Sequence, residues 1–460
     1  MDKQELFEKV PARKAVWTLA LPTVISQLIT VIYNVADTFF VGQLNDPVQA
    51  AAATVAMPPF IFLTGIANLF GIGGASLIAR DLGAGQADRA KNASAFAIWT
   101  GILLAFIYGI LFTLFRPYIL PLMGTTAETY NLTFQYLIWT ITVGAIPTVI
   151  STLLAHLIRT EGYAKQASLG LTLGGVLNIA LDPLFIFGLH MELQGAAIAT
   201  LLSNCISCAY FVIFVLKNSN KLSIRIHPKY YSLRKGIPRE VLVIGLPSFI
   251  MTFMSFLSNV TLNQLIAGYS SEAVAGMGIA KKVDMVGFAV AQGMTQGVLA
   301  LVGYNYSSGN RKRMGQVIKT TLCYSVSLAL IGSVVLYIFA NGISRAFIAN
   351  EETVEYAKRF VRILCTSLPL SSCVMMSITV FQATGSKIQP LILSLCRKGG
   401  FDIPFMLLYQ MLGGIYGIAW ATPTADVLTT ILSLIFFVPF WHKIMNWDKI
   451  KQSVIAEEEA

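Results

Sequence analysis

Two aspartates interrupt long apolar runs of this chain, and amide side chains stand one helical turn from each. Asp37 lies in ALPTVISQLITVIYNVADTFFVGQL (20–44), with Tyr33 and Asn34 one turn back on its face, and Asp182 follows Asn178 by four residues in LTLGGVLNIALDPLFIFG (171–188). A carboxylate at membrane depth costs roughly 2.5–3.5 kcal/mol on insertion scales, so each asks for a partner or a use. At 1.5 Å per residue, Asp37 is about 7 Å from the end of its run at Gly42, and Asp182 lies at a similar depth. Two acids with amide neighbours form an acceptor set for a proton or a small cation. Pro183 adds to it, because a proline inside a helix leaves the Ile179 carbonyl without its donor. The alternative is structural: Asp37 capping a helix end and Asp182 breaking a helix before a turn.

A second set centres on Asp284, with Lys281 one turn earlier. Either the lysine neutralises it as an intrahelical pair, or the carboxylate meets a cationic substrate. Met277, Met285 and Met294 with Phe288 put soft apolar surface on the same run, which suits an adaptable pocket and equally suits plain packing. Asp402, four residues after Lys398, reads as a structural pair.

The elements that must hold these residues are membrane helices. Of 460 residues 55% are apolar and 12% charged, with a mean hydropathy of +0.67, too few charges to solvate a soluble surface of this size. Apolar runs long enough to cross about 30 Å of hydrocarbon recur near 16–41, 51–78, 94–115, 132–155, 167–188, 194–216, 241–268, 273–302, 317–340, 360–382, 389–410 and 414–441. The expected fold is therefore an all-α membrane protein of twelve helices.

The chain is also written twice. Pro22 and Asn34 return as Pro247 and Asn259; Gly73, Gly85 and Arg89 as Gly297, Gly309 and Arg313; Pro147 as Pro369; and Gly195, Ala199 and Thr200 as Gly417, Ala421 and Thr422. Six spans per copy make the copies parallel repeats, the usual build of a secondary transporter with its substrate path between them. The expected division is a six-helix lobe over 1–216, a basic linker over 217–240 and a second six-helix lobe over 241–460. The acids are not repeated: Asp37 corresponds to Leu262, and Asp182 aligns with Ile403 or Pro404.

Of the 33 lysines and arginines, 26 fall on one side if the N-terminus is cytoplasmic, which places both termini and the linker in the cytoplasm of a multi-pass inner-membrane protein. The same bias explains the net charge of +10 without nucleic acid. The head MDKQELFEKVPARK carries no signal-peptide pattern, so the first helix is retained. Six cysteines lie within spans or at their ends, and Cys205 and Cys208 are simple packing residues without a second pair to form a metal or redox site. No G-x-x-x-x-G-K-[ST] stretch is present to bind ATP, so uphill transport must draw on an ion gradient.

The stretches LPTVISQLITVIYNVADTFFVG, IARDLGAGQADRA, RTEGYAKQASLGLTLGGVLNIALDPLFIFG and LQGAAIATLLSN resemble the multidrug and toxic compound extrusion (MATE) family, its prokaryotic branch in particular. The likeness covers nearly the whole chain. It implies two six-helix lobes forming a V and export of organic cations against a proton or sodium gradient. It also implies a cation site built from a first-helix aspartate, a fifth-helix asparagine and aspartate, and a sixth-helix threonine, here Asp37, Asn178, Asp182 and Thr200. A seventh-helix glutamate used by the other main branch is missing, that helix offering only Ser255, Ser258, Asn259 and Asn263.

The expected function is multidrug efflux by cation-coupled antiport with alternating access. The protein is not an enzyme, needs no cofactor or metal beyond a coupling proton or sodium ion, and works as a monomer in the lipid bilayer on small, often cationic, organic molecules. Its expected substrate cavity includes Tyr33, Asn34, Asn259, Asp284, Met285 and Phe288. The alternative is a flippase for a lipid-linked precursor, or a polysaccharide-type exporter, of the same superfamily. An anionic lipid diphosphate calls for a cavity lined with arginines, and the spans offer few cations beside Arg397 and Lys398. A receptor or scaffold has no need of mid-span acids.

Overall fold

The computed structural model describes residues 4–44 and 46–446. Residues 1–3 and 447–460, on which the expected placement of the extreme termini bears, lie outside the described residues. Among the described residues no strand occurs, as expected where the hydrocarbon offers no partner to an unpaired backbone.

The helices are α1 (Ala12–Gly42), α2 (Pro47–Gly83), α3 (Ala87–Leu122), α4 (Ala127–Val143 and Ala145–Thr160, bent by 52°), α5 (Ala164–Gly188) and α6 (Glu192–Lys217). After the connection 218–236 come α7 (Ile237–Ala267), α8 (Ser271–Ser307), α9 (Arg311–Phe347) and α10 (Glu351–Ala383). The last apolar stretch, Gln389–Met445, is broken at Gly414, whose φ of 59° and ψ of −142° no helix tolerates. This break divides it into α11 (389–413) and α12 (415–445). Each of the twelve apolar runs thus has its helix, and most helices extend past the runs by several residues. The outward faces are apolar: Leu114 is 66% exposed and Ile331 62%, the pattern of a surface that meets lipid.

The two sets of six helices join through crossed pairs, α2 along α7 and α1 along α8. The repeated glycines explain how these helices approach so closely. A Cβ on Gly73 of α2 would strike the Val241 carbonyl of α7, and one on Gly297 of α8 would strike the Ala20 backbone of α1. Gly245 meets Leu69 and Gly293 meets Val24 in the same fashion. These approaches lie in the half of the bundle that carries the 218–236 connection, called here the linker end. The connection lies against α3: Ser94 accepts from the Arg225 amide at 2.9 Å, and the Trp99 indole donates to the Ile226 carbonyl at 2.8 Å.

Candidate cation and substrate site

The first-lobe acids sit where three helices meet. Asp182 is fully buried on α5, and Asn178, one turn earlier, donates through Nδ2 to Asp182 Oδ1 at 3.3 Å and to Thr200 Oγ1 of α6 at 3.4 Å. α1 packs along α5, with Tyr33 against Gly175. Asp37 and Asp182 lie within electrostatic reach of one another and of Tyr33 and Tyr136. α5 ends its regular α turns at Pro183 and finishes as a π turn, Leu184–Gly188.

Three buried acceptors here have no hydrogen-bond partner among the described residues: Asp37 Oδ1, Asn178 Oδ1 and Asp182 Oδ2. A buried carboxylate oxygen left unpaired is costly, and an inbound proton or small cation is what such a set would stabilise. No lysine or arginine pairs with either acid among the described residues. Asp37, Asn178, Asp182 and Thr200 are thus brought to one place.

A cavity of about 270 Å³ opens beneath them, lined by Tyr33, Asn178 and Thr200 together with polar groups of α4 and α6, and closed from the second lobe by Gln292 and Gln296. Gln296 accepts from Gln27 of α1 at 3.2 Å across the lobes. Sequence reasoning misses Gln27, Gln292, Gln296, Tyr136, His156 and Arg159. The last reads in the sequence as a loop cation, yet it is 3% exposed in the final turn of α4, on the cavity wall, with Nη1 3.4 Å from His156 Nδ1. The signal for the three glutamines is an amide inside an apolar stretch, whereas His156 and Arg159 fall just past the run 132–155 and carry none.

Of the other expected cavity residues, Asn34, Asn259, Asp284, Met285 and Phe288 do not line this space. Asn34 and Asn259 are exposed on α1 and α7. Asp284 is half-buried on α8, and no ion pair joins it to Lys281, so the intrahelical pair is not made. Met277 and Met294 are fully buried packing residues, while Met285 is 42% exposed and Phe288 lies under the Arg397 guanidinium at 5.3 Å.

The alignment that leaves Asp182 without a repeat needs correction. Asp402 of α11 is fully buried and accepts from Thr422 Oγ1 of α12 at 3.0 Å, Ser258 Oγ of α7 at 2.7 Å and Lys398 Nζ at 3.0 Å. Thr422 is the repeat of Thr200, so a carboxylate does stand at the corresponding three-helix junction. A π turn over Cys396–Asp402 shifts the register of α11, which is why a linear alignment sets Ile403 opposite Asp182. The Lys398–Asp402 pair itself forms as expected. Arg397 is fixed separately, its Nε donating to Asp426 at 2.7 Å and its Nη2 to Ser371 at 2.8 Å.

Known proteins resemble this chain in sequence and in fold. Multidrug export protein MepA of Staphylococcus aureus (strain MSSA476) is 29% identical over 429 residues, covering 93% of this chain and 94% of the relative. That of Staphylococcus haemolyticus (strain JCSC1435) is 29% identical over 432 residues with the same coverage. Among solved structures, a multidrug resistance MATE family transporter in an outward-facing conformation shares the fold with a TM-score of 0.89 at 24% identity, over 97% of this chain and 99% of that one. A mutant of the Vibrio cholerae MATE transporter VcmN gives 0.86 at 20% identity, over 94% and 97%. A family model described as MatE matches residues 22–184 and again 247–408, once on each repeat. With two sets of six apolar helices among the described residues and a match to that model on each, the chain belongs to the MatE family of multidrug export transporters.

Proposed function

We propose that the protein is a secondary antiporter that exports organic, often cationic, compounds and takes in a proton or a sodium ion through Asp37, Asn178, Asp182 and Thr200. The observation that carries this reading is the trio of buried, unpartnered acceptors on Asp37, Asn178 and Asp182, beside a polar cavity that reaches the second lobe. An ion bound there ties α1 to α5, and its release leaves two carboxylates facing each other in a medium of low dielectric. Coupling then follows from differential affinity: substrate and ion each favour one of the two lobe arrangements, and alternation carries them in opposite directions. Pro22 within α1 and Pro183 of α5 supply the bends at which these helices repack.

In this reading the linker end is cytoplasmic, the membrane is the cell's inner membrane and the protein acts as a monomer. Arg159 is the one arginine on the cavity wall among the described residues, whereas a flippase for an anionic lipid precursor calls for several.

The test is efflux of a fluorescent organic cation from proteoliposomes under an imposed proton or sodium gradient. Asp37→Asn and Asp182→Asn are each expected to abolish gradient-driven efflux while substrate still binds the folded protein. Full efflux by the double variant would dismiss the site.

A further inference from the structure

The two lobes present the same junction with one chemical difference. In the first, Asn178 stands four residues before Asp182 and reaches both that carboxylate and Thr200. In the second, Lys398 stands four residues before Asp402, and Thr422 donates to the same carboxylate. Thus an amide in one lobe is replaced by an ammonium in the other, on the same turn of the equivalent helix. The consequence for the acceptors is opposite. Among the described residues Asp182 Oδ2 and Asn178 Oδ1 are buried without hydrogen-bond partners, while both oxygens of Asp402 are satisfied, Oδ1 by Thr422 and Oδ2 by Ser258 and Lys398. Among the described residues Lys398 is the one cation bonded to Asp402. Arg397 is committed to Asp426 and Ser371, and Lys281 makes no ion pair among the described residues.

We infer that the second lobe holds a small monovalent-cation site of the same construction as the first, filled by the protein's own Lys398 ammonium. The tethered charge cannot leave, so this lobe does not respond to the ion gradient and coupling is confined to the first lobe. The lysine also gives the lobe constant charge through the cycle, where the first alternates between states. The inference rests on the reading of Asp37 and Asp182 as the coupling site.

The prediction is that removing the tether opens the second site. Full-length protein in lipid nanodiscs is treated with dicyclohexylcarbodiimide, which modifies buried carboxyl groups that carry a proton, and the adducts are mapped by peptide mass spectrometry. In the unaltered protein, adducts are expected at Asp37 or Asp182, suppressed by sodium if that is the coupling ion and by raised pH if it is a proton, with only background at Asp402. Lys398→Asn should bring Asp402 labelling up to the level seen at Asp182, suppressed by the same ion, while Lys398→Arg should keep it at background. Lys281 lies within electrostatic reach of Asp402, so Lys398→Asn is also made with Lys281→Gln to exclude its ammonium as a substitute. Asp402 remaining unlabelled in both backgrounds while Asp182 reacts would overturn the inference, and so would ready labelling of Asp402 in the unaltered protein. Loss of ion protection at Asp37 and Asp182 strikes instead at the proposed coupling site and leaves the contrast between the lobes as a separate result.

Discussion

Arg89 and Arg313 occupy equivalent places in the two repeats, and each holds the segment that enters the first helix of the opposite lobe. Arg89 on α3 donates to Asp81 at 2.7 Å, to the Lys235 carbonyl at 3.2 Å and to the Glu240 carboxylate of α7. Arg313 on α9 donates to the carbonyls of Phe7 at 2.6 Å, Leu6 at 3.1 Å and Val10 at 2.6 Å, just ahead of α1. Asn305 and Tyr304 add bonds to the Phe7 carbonyl and Glu8. Both clamps lie at the linker end, where the lobes are in contact. A transporter that opens there must loosen them.

Because hydrogen bonds to charged groups are each worth about 1.5–3 kcal/mol, Arg313→Gln should release the N-terminal segment locally. Hydrogen exchange is expected to rise over residues 5–10 and stay unchanged over 235–240. Arg89→Gln should give the reciprocal pattern. Unchanged exchange over 5–10 in Arg313→Gln would mean that the burial of Phe7, which is complete, holds the segment without the arginine.

The glycine contacts make a second prediction. Gly73→Val and Gly297→Val push side chains into the backbone of the opposite lobe, and overpacking of this sort costs about 1–3 kcal/mol. Both should lower the midpoint of thermal unfolding of the purified protein and reduce transport. Gly332→Ala meets nothing within 4 Å and should do neither.

How much of this was legible follows from which signals survive in a linear chain. Twelve spans were readable because the length of an apolar run is fixed by the bilayer. Gly73 with Gly297 and Arg89 with Arg313 were readable as repeats, although their use at the lobe interface was not, since a glycine does not name the backbone it admits. Asn178 and Asp182 were readable through their spacing on one helix face. The second-lobe junction was hidden by the π turn before Asp402, which shifts the helix face by one residue and defeats a fixed offset. The parts played by Gln292, Gln296 and Arg159 depend on how α8 and α4 turn toward the cavity, a matter of packing between distant elements.

Topology can be checked directly. The 26 to 7 distribution of basic residues predicts that the linker faces the cytoplasm. Leu233, 64% exposed, is a good reporter. In a cysteine-free background, Leu233→Cys should resist an impermeant thiol reagent in intact cells and react in inverted vesicles. Labelling in intact cells would reverse the orientation.

Asp284 offers a test of substrate choice. It is half-buried on α8, without an ion pair among the described residues and away from the first-lobe cavity. Asp284→Asn is therefore expected to alter which compounds are exported, weakening cationic ones more than neutral ones, with ion dependence kept. Equal loss for both classes together with lost ion dependence would assign it to coupling instead.

The charge difference between the lobes predicts opposite stability effects for two identical substitutions. Asp402→Asn strips Lys398 of its carboxylate and leaves an ammonium, 15% exposed, without a counter-charge inside the bundle. Removing one partner of a buried pair costs about 3–5 kcal/mol, because the remaining charge is not solvated. Asp182→Asn removes a carboxylate that pairs with no lysine or arginine among the described residues, and it puts in its place an amide able to donate to neighbouring acceptors, so the protein should be as stable as before or more so. The sign of the difference is the point: thermal unfolding should fall for Asp402→Asn and hold or rise for Asp182→Asn. Adding Lys398→Met to Asp402→Asn removes the stranded charge and should recover most of the loss, since deleting both members of a buried pair is often nearly neutral. If Asp402→Asn were as stable as the unaltered protein, or if the double variant recovered nothing, Lys398 could not be the counter-charge of Asp402, and its ammonium would have to be satisfied elsewhere in the second lobe.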